Sequence, residues 1–232
     1  MISIIIPAWN EEKYLPKLLD CIKKQDYKDY EIIVADAKST DRTRQVAKRY
    51  GCRVVNGGAP AAGRNNGAKT AKGEILLFLD ADVQFNNKFL DTAIKEFQGK
   101  KIDIAGFRLI PIGNNLIDKL FFVIFNLWTV STQFFYPNAA GAGIMCSESI
   151  HKKANGFDET IKLSEDMDYV KRCGKIEKFR ILSKPKLYVA MRRFERDGRL
   201  KVAFKLFLSA LHRLFFGEIR SDVFKYNLKY RK

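Results

Sequence analysis

Leu76-Leu77-Phe78-Leu79-Asp80-Ala81-Asp82 is four apolar residues in succession that stop at two carboxylates one residue apart. A short unbroken apolar run reads as a strand buried on both faces of a parallel sheet. Open α/β sheets bind their ligands beyond the carboxyl ends of such strands. Asp80 and Asp82, at i and i+2 on the turn that leaves the strand, can offer hard oxygen donors to Mg²⁺ or Mn²⁺, and an ion so placed can grip a diphosphate. The plainer alternative is a turn in which one aspartate bonds backbone N–H groups and the other is solvated.

The flanking sequence supplies the sheet. Strand-like runs over 2–6, 31–35, 53–55 and 75–79 alternate with helical patterns over about 11–24, 40–50, 61–72 and 87–97. This is the rhythm of βαβ units in a mostly parallel, Rossmann-like sheet with helices on both faces. It brings the loops beginning at Pro7, Asp36, Asn56 and Asp80 together in space. Beyond Ile102 the alternation loosens. A strand is expected over 103–111, a long apolar helix over 115–136, a strand or turn over 141–146 and a helix over 165–173. Strands near 179–182 and 187–190 and a basic, aromatic helix over about 200–216 complete the chain. One α/β domain over 1–194, in halves of about 1–100 and 101–194, is followed by an amphipathic helix and tail over 195–232.

The 232 residues suffice for one large domain with a substantial core. Lys and Arg number 42 against 26 Asp and Glu, a net charge of +16, so an anionic partner is expected. Cys21, Cys52, Cys146 and Cys173 show no C-x-x-C spacing and read as small buried hydrophobes in a reducing cytoplasm. The opening apolar run is too short for a signal peptide and lacks a basic leader. The apolar stretch from Leu116 to Tyr136 is broken by Asp118, Lys119, Asn126 and Gln133, which makes it a poor membrane span.

Three further loops carry candidate chemistry. Pro7-Ala8-Trp9-Asn10-Glu11-Glu12 opens a helix after a buried strand, where backbone N–H groups can meet a nucleotide; a simple N-cap with acidic first-turn residues is the alternative. Asp36 ends the second strand and can accept from a base or ribose, while Ser39, Thr40 and Asp41 read as helix caps. Arg64, in Gly63-Arg64-Asn65-Asn66-Gly67-Ala68, has the planar fork that suits phosphate oxygens.

Taken together, the Ile-Ile-Pro-Ala-x-Asn-Glu-Glu opening, the Asp36 loop ending Ser-Thr-Asp-x-Thr, the Gly63–Ala68 segment with Lys72-Gly73-Glu74, and Leu-Phe-Leu-Asp-Ala-Asp resemble the inverting family 2 glycosyltransferases of the GT-A fold. With the motifs below, the resemblance covers about residues 2–190. Ala37-Lys38 stands where that family usually has glycines. The resemblance implies a UDP- or GDP-sugar donor, bound by Pro7, Ala8, Asn10, Glu12, Asp36 and Arg64. Asp80 would bind the ribose or the metal, and Asp82 would ligate the Mg²⁺ or Mn²⁺ held against the diphosphate.

Glu165-Asp166-Met167-Asp168 opens a helix, where simple stabilisation of the helix dipole by acidic residues is the plainer alternative. In the family this position holds the catalytic base, which the resemblance places at Asp166 with Glu165 beside the acceptor. It also assigns Gly141, Ala142 and Gly143, within a run of small residues, to the acceptor wall, against ordinary turn packing. Arg192 and Arg193 are similar to an Arg-Arg-aromatic element of small family members; they either close over the diphosphate or face solvent or lipid.

Leu200, Phe204, Phe207, Leu211 and Leu214 recur at helical spacing among Lys201, Lys205 and Arg213. Such a helix suits an anionic bilayer interface, or docks on its own domain. Peripheral attachment to the cytoplasmic membrane face follows as an expectation, with a glycan, lipid or polyprenyl phosphate acceptor. Two other classes compete: a catalytically silent GT-A-like scaffold, and a basic nucleic-acid-binding protein. No nucleic-acid motif supports the second, and no nucleic-acid partner is expected.

Overall fold

A computed structural model describes residues 1–221, and the end of the expected tail lies outside them. Eight strands form one mixed sheet in the order β3-β2-β1-β4-β7-β6-β8-β5. The first half follows the expected alternation: β1 (Ile2–Ala8), α1 (Leu15–Lys23), β2 (Tyr30–Asp36), α2 (Thr43–Arg49), β3 (Arg53–Asn56), α3 (Pro60–Ala68) and β4 (Ile75–Leu79). These four strands are parallel. Ile2, Ile4, Ile5, Ile6, Leu76, Leu77, Phe78 and Leu79 are fully buried, each burial being worth about 1.5–3 kcal/mol before the cost of ordering the chain. Helix α3 lies close on β1 because Gly63 and Gly67, one turn apart, face it. A Cβ at Gly67 would overlap Ile5 Cγ2, and one at Gly63 would come within 3.1 Å of Pro7 Cβ.

The second half adds β5 (Val83–Gln84), α4 (Phe89–Gly99), β6 (Ile104–Pro111), α5 (Leu116–Thr132), β7 (Gly143–Ser147), α6 (Glu148–Lys153), α7 (Glu165–Ile176), β8 (Phe179–Val189), α8 (Arg192–Asp197) and α9 (Arg199–Phe216). Strand β7 runs antiparallel between β4 and β6, while β6 and β8 are parallel to each other. The two strands expected over 179–190 are one, with a register shift opposite Phe107 and Arg108. The helix expected from Glu11 begins only at Leu15, with Pro16 in its first turn; Asn10, Glu11 and Glu12 therefore do not cap it.

Helix α5 docks through Phe122 together with polar residues. Its inner face uses the residues that interrupt the apolar run: Asp118 pairs with Arg199 at 2.9 Å, and Asn126 bonds both the N–H and the carbonyl of Leu109. Just beyond the helix, Gln133 accepts from Ile181 N. Its outer face exposes Leu116, Ile117, Leu120, Val123, Ile124 and Leu127. Helix α9 buries Val202, Ser209 and Arg213 and leaves Leu200, Phe204, Phe207, Leu214 and Phe215 exposed, so docking on its own domain does not account for its apolar face. Among the described residues no helix is long and apolar enough to cross a membrane.

Candidate active site

The carboxyl ends of β1, β2 and β4 open into one cleft. Pro7 and Ala8 lie in register with Ala35 and Asp36. The loops that follow are laced together: Asn10 N donates to Ser39 Oγ, Thr40 N to Asn10 Oδ1, Glu12 N to Asp41 Oδ2, and Arg42 N to Glu12 Oε2, all at 2.9–3.1 Å. Asn10 and Glu12 thus fix the loop backbone. Ser39 and Thr40 bond across to the first loop instead of capping α2, a correction to the sequence reading. Lys38 adopts the left-handed φ of 57°, the conformation that a glycine takes without strain.

Asp36 is buried. Its Oδ2 accepts from Arg44 Nη1 at 3.0 Å and from Ser39 N at 3.3 Å. Its Oδ1 is buried without a protein partner, and a buried acceptor of this kind calls for a donor from elsewhere. Arg44 was not singled out in the sequence, although it lies on the helix that the Asp36 loop feeds.

Arg64, 3% exposed, joins the two halves of the cleft. It donates to Asp80 Oδ1 and to Glu165 Oε1, each at 2.9 Å, and to the Gly141 carbonyl at 3.3 Å. Its guanidinium sits 5.3 Å from the centre of the Phe157 ring. Desolvation, with the Asp82, Asp166 and Glu165 carboxylates, raises Asp80 to about 7 against the pull of Arg64. The Asp80 side chain is still 42% exposed, so solvent screens part of that effect. Burial also raises Glu165, with Asp166 adding to it.

Asp82 lies across from Arg192, whose Nε is 2.8 Å from Asp82 Oδ2. The same guanidinium forks onto Glu11 at 2.5 and 2.8 Å and rests 4.6 Å from the Tyr14 ring centre. Arg192 therefore turns into the cleft, not to solvent or lipid. Glu11 is the residue that sequence reasoning passed over in favour of Glu12. Its partner lies 181 positions away, which no local pattern signals. Arg193 follows on α8 and has interactions of its own.

Asp166, at the start of α7, accepts from Gly141 N at 2.5 Å and from Met167 N at 2.8 Å. A Cβ at Gly141 would approach Arg64 Nη2 to 2.6 Å and Asp166 Oδ2 to 3.0 Å, so any larger residue there displaces one or both side chains. Ala142 sits on the same turn, its carbonyl accepting from Asp80 N. Gly143 is different: it starts β7, and a Cβ there would meet Leu187 and Phe107. Its small size serves sheet packing.

Among the described residues no three His, Cys, Asp or Glu side chains converge as a metal cage. Asp80 and Asp82 nevertheless supply hard oxygens: Arg64 pairs with Asp80 through Oδ1 and Arg192 with Asp82 through Oδ2. Two carboxylates completed by phosphate and water suit a small divalent ion, so the residues fit one.

The family model described as glycosyl transferase family 2 matches residues 3–144, more than half of the chain. The chain belongs to glycosyl transferase family 2. The matched segment holds every donor-side residue from Pro7 to Asp82 and the Gly141 turn; Glu165, Asp166, Arg192 and Arg193 lie beyond it. Over 101 residues this family 2 member is 37% identical to the poly(ribitol-phosphate) beta-N-acetylglucosaminyltransferase TarS of Staphylococcus aureus, covering 39% of this chain and 18% of TarS. The chain thus spans less than a fifth of that relative. The crystal structure of S. aureus TarS 1-349 with UDP-GlcNAc has a TM-score of 0.67 at 24% identity, over 82% of this chain and 58% of that one. The mannosyltransferase PcManGT from Pyrobaculum calidifontis, in complex with GDP-Man and Mn²⁺, has a TM-score of 0.70 at 18% identity, over 90% and 61%. These likenesses establish the GT-A fold for the family 2 chain.

Proposed function

We propose that the chain transfers a sugar from a UDP- or GDP-linked donor to a hydroxyl or phosphate acceptor in one inverting displacement. The observation that carries this reading is Arg64, which ties Asp80 on the donor side to Glu165, next to Asp166, on the acceptor side. The solved neighbours named above, bound to UDP-GlcNAc or to GDP-Man with Mn²⁺, support a nucleotide-sugar donor.

Pro7, Ala8 and the laced loops would form the nucleotide pocket, and the unpartnered Asp36 Oδ1 would accept a base or ribose hydrogen. Asp80 and Asp82 would hold Mg²⁺ or Mn²⁺, which when bound offsets the charge that builds on the departing diphosphate. Arg192 and Arg193 would turn toward the same phosphates. Asp166, its oxygens oriented by two backbone N–H groups, would take the acceptor proton as the acceptor oxygen bonds the anomeric carbon on the face opposite the diphosphate. Gly141, Ala142 and Glu165 would line the acceptor side. The transition state would have oxocarbenium character.

The acceptor would be a glycan, or a lipid or polyprenyl phosphate at the cytoplasmic membrane face. Helix α9 supports this: Arg213 near its end donates to Met167 Sδ at 3.1 Å, beside the proposed base, while Leu214, Phe215 and Phe216 remain exposed.

A thermal-shift panel of UDP- and GDP-sugars with and without Mn²⁺ tests the reading, because a ligand of the native state raises its stability. One donor should shift the wild type only with Mn²⁺, and Asp82→Ala should lose that shift. Asp166→Asn should keep the shift while turnover falls about a hundredfold or more. A silent scaffold would show no donor shift and no turnover.

A further inference from the structure

Beside β6 and β8, two and three strands across the sheet from β4, lies a hollow of about 550 Å³ ringed by Lys100, Arg108, Lys178 and Arg180, with Gln133 and Phe134 from the end of α5 on its wall. The register fixes its place. Arg180 pairs with Ala105, which leads through Met145 to Leu77, and Arg108 lies beyond Gly106, which leads through Ile144 to Phe78, so the hollow is set apart from Asp80 across the sheet and not along it. The nucleotide cleft therefore does not explain these four cations.

Their charge is largely uncompensated. Glu96, which bonds Lys100 and Ser183 of the lining, is already taken by Lys100 Nζ at 2.6 Å, by Ser183 through its N–H and hydroxyl, and by Lys184 N. Lys178 Nζ and Arg180 Nη1 bond only neutral carbonyls, those of Lys100 and Phe179. Arg108 is exposed and makes no ion pair among the described residues. The hollow also adjoins the end of α5. The Arg180 guanidinium lies 4.4 Å from the ring centre of Phe134, which with Phe135 stands exposed beyond the apolar outer face of the helix. Three unpaired cations at the foot of an apolar stripe form the polar–apolar boundary at which a bilayer places its phosphates. A cavity of this volume exceeds what a bare phosphate needs and suits a headgroup.

We infer that this hollow receives the phosphate headgroup of an anionic phospholipid while the outer face of α5 and the apolar face of α9 lie in the acyl boundary. The inference rests on the membrane attachment proposed above and adds to it a headgroup site separate from the donor cleft.

Flotation of the full chain with phosphatidylglycerol or phosphatidylcholine vesicles at low salt tests it, using wild type, the double variant Arg108→Glu/Arg180→Glu, and Leu120→Gln/Leu127→Gln on the α5 face. The wild type should prefer the anionic vesicles. The charge variant should lose at least about tenfold in affinity for them, while keeping wild-type binding to phosphatidylcholine and the Mn²⁺-dependent donor shift. The α5 variant should lose binding to both vesicles. Equal binding of the charge variant and wild type to anionic vesicles overturns the headgroup site but leaves membrane attachment standing. Failure of the wild type to bind any vesicle overturns both. A thermal shift of the wild type by inorganic phosphate or pyrophosphate alone, lost in the charge variant, would make the hollow a site for soluble anions and overturn the lipid assignment.

Discussion

The proposed base is held by a residue with no side chain. Gly141 presents its N–H to Asp166 and its carbonyl to Arg64, and both approaches need the space that a Cβ would occupy. Gly141→Ala should therefore push Arg64 and Asp166 apart, costing about 1–3 kcal/mol of stability as overpacking does. Turnover should fall more than donor affinity, since the nucleotide loops lie elsewhere. Chemical denaturation alongside kcat and KM would show the split; an alanine variant with wild-type kcat would mean that Asp166 is not oriented by this turn. The residue types of the site were legible from the strand-end aspartates and the carboxylates opening α7. What pairs with what was not. Glu11 and Arg192, or Arg64 and Glu165, meet only because the sheet brings distant loops to one edge, and side-chain spacing carries no trace of that.

Elements built on consecutive apolar residues, β1 and β4 above all, were readable because full burial leaves an unbroken run. Helix α5 shows where such reading stops. Periodicity reports an apolar face but not whether that face meets protein or solvent, and here Asp118 and Asn126 meet the protein. Strand β8 was read as two pieces because Ser183-Lys184-Pro185 resembles a loop. It stays one strand, and Glu96 of α4 clamps that segment through the Ser183 and Lys184 N–H groups. Against the cost of desolvation, the bond from Lys100 and these N–H donors hold the Glu96 carboxyl down at about 2, from an ordinary 4.5. A depressed carboxylate stabilises the fold fully above its unfolded pKa and loses that contribution as the pH falls toward the folded value. Glu96→Gln should thus cost about 2 kcal/mol at neutral pH, with the gap to wild type narrowing below about pH 4.5. Urea unfolding across that range checks both the size and the sign.

At the scale of the whole molecule, one buried cation joins the parallel first half to the mixed second half. Removing Arg64 leaves Asp80 and Glu165 facing each other and Asp166 without their shared counter-ion. Breaking a buried pair by deleting one partner costs about 3–5 kcal/mol, so Arg64→Met should lower the urea midpoint by a corresponding amount. A change within about 0.5 kcal/mol, the range of ordinary surface substitutions, would show that the halves hold together without it. The other arginine of the cleft acts on a different equilibrium. A divalent ion held at Asp82, as proposed, would meet a carboxylate whose Oδ2 already carries the Arg192 guanidinium that Glu11 shares. Ion uptake and the posture of the short α8 turn would then be opposite pans of one balance: whatever tightened the arginine's grip would weaken the metal's, and by the same factor.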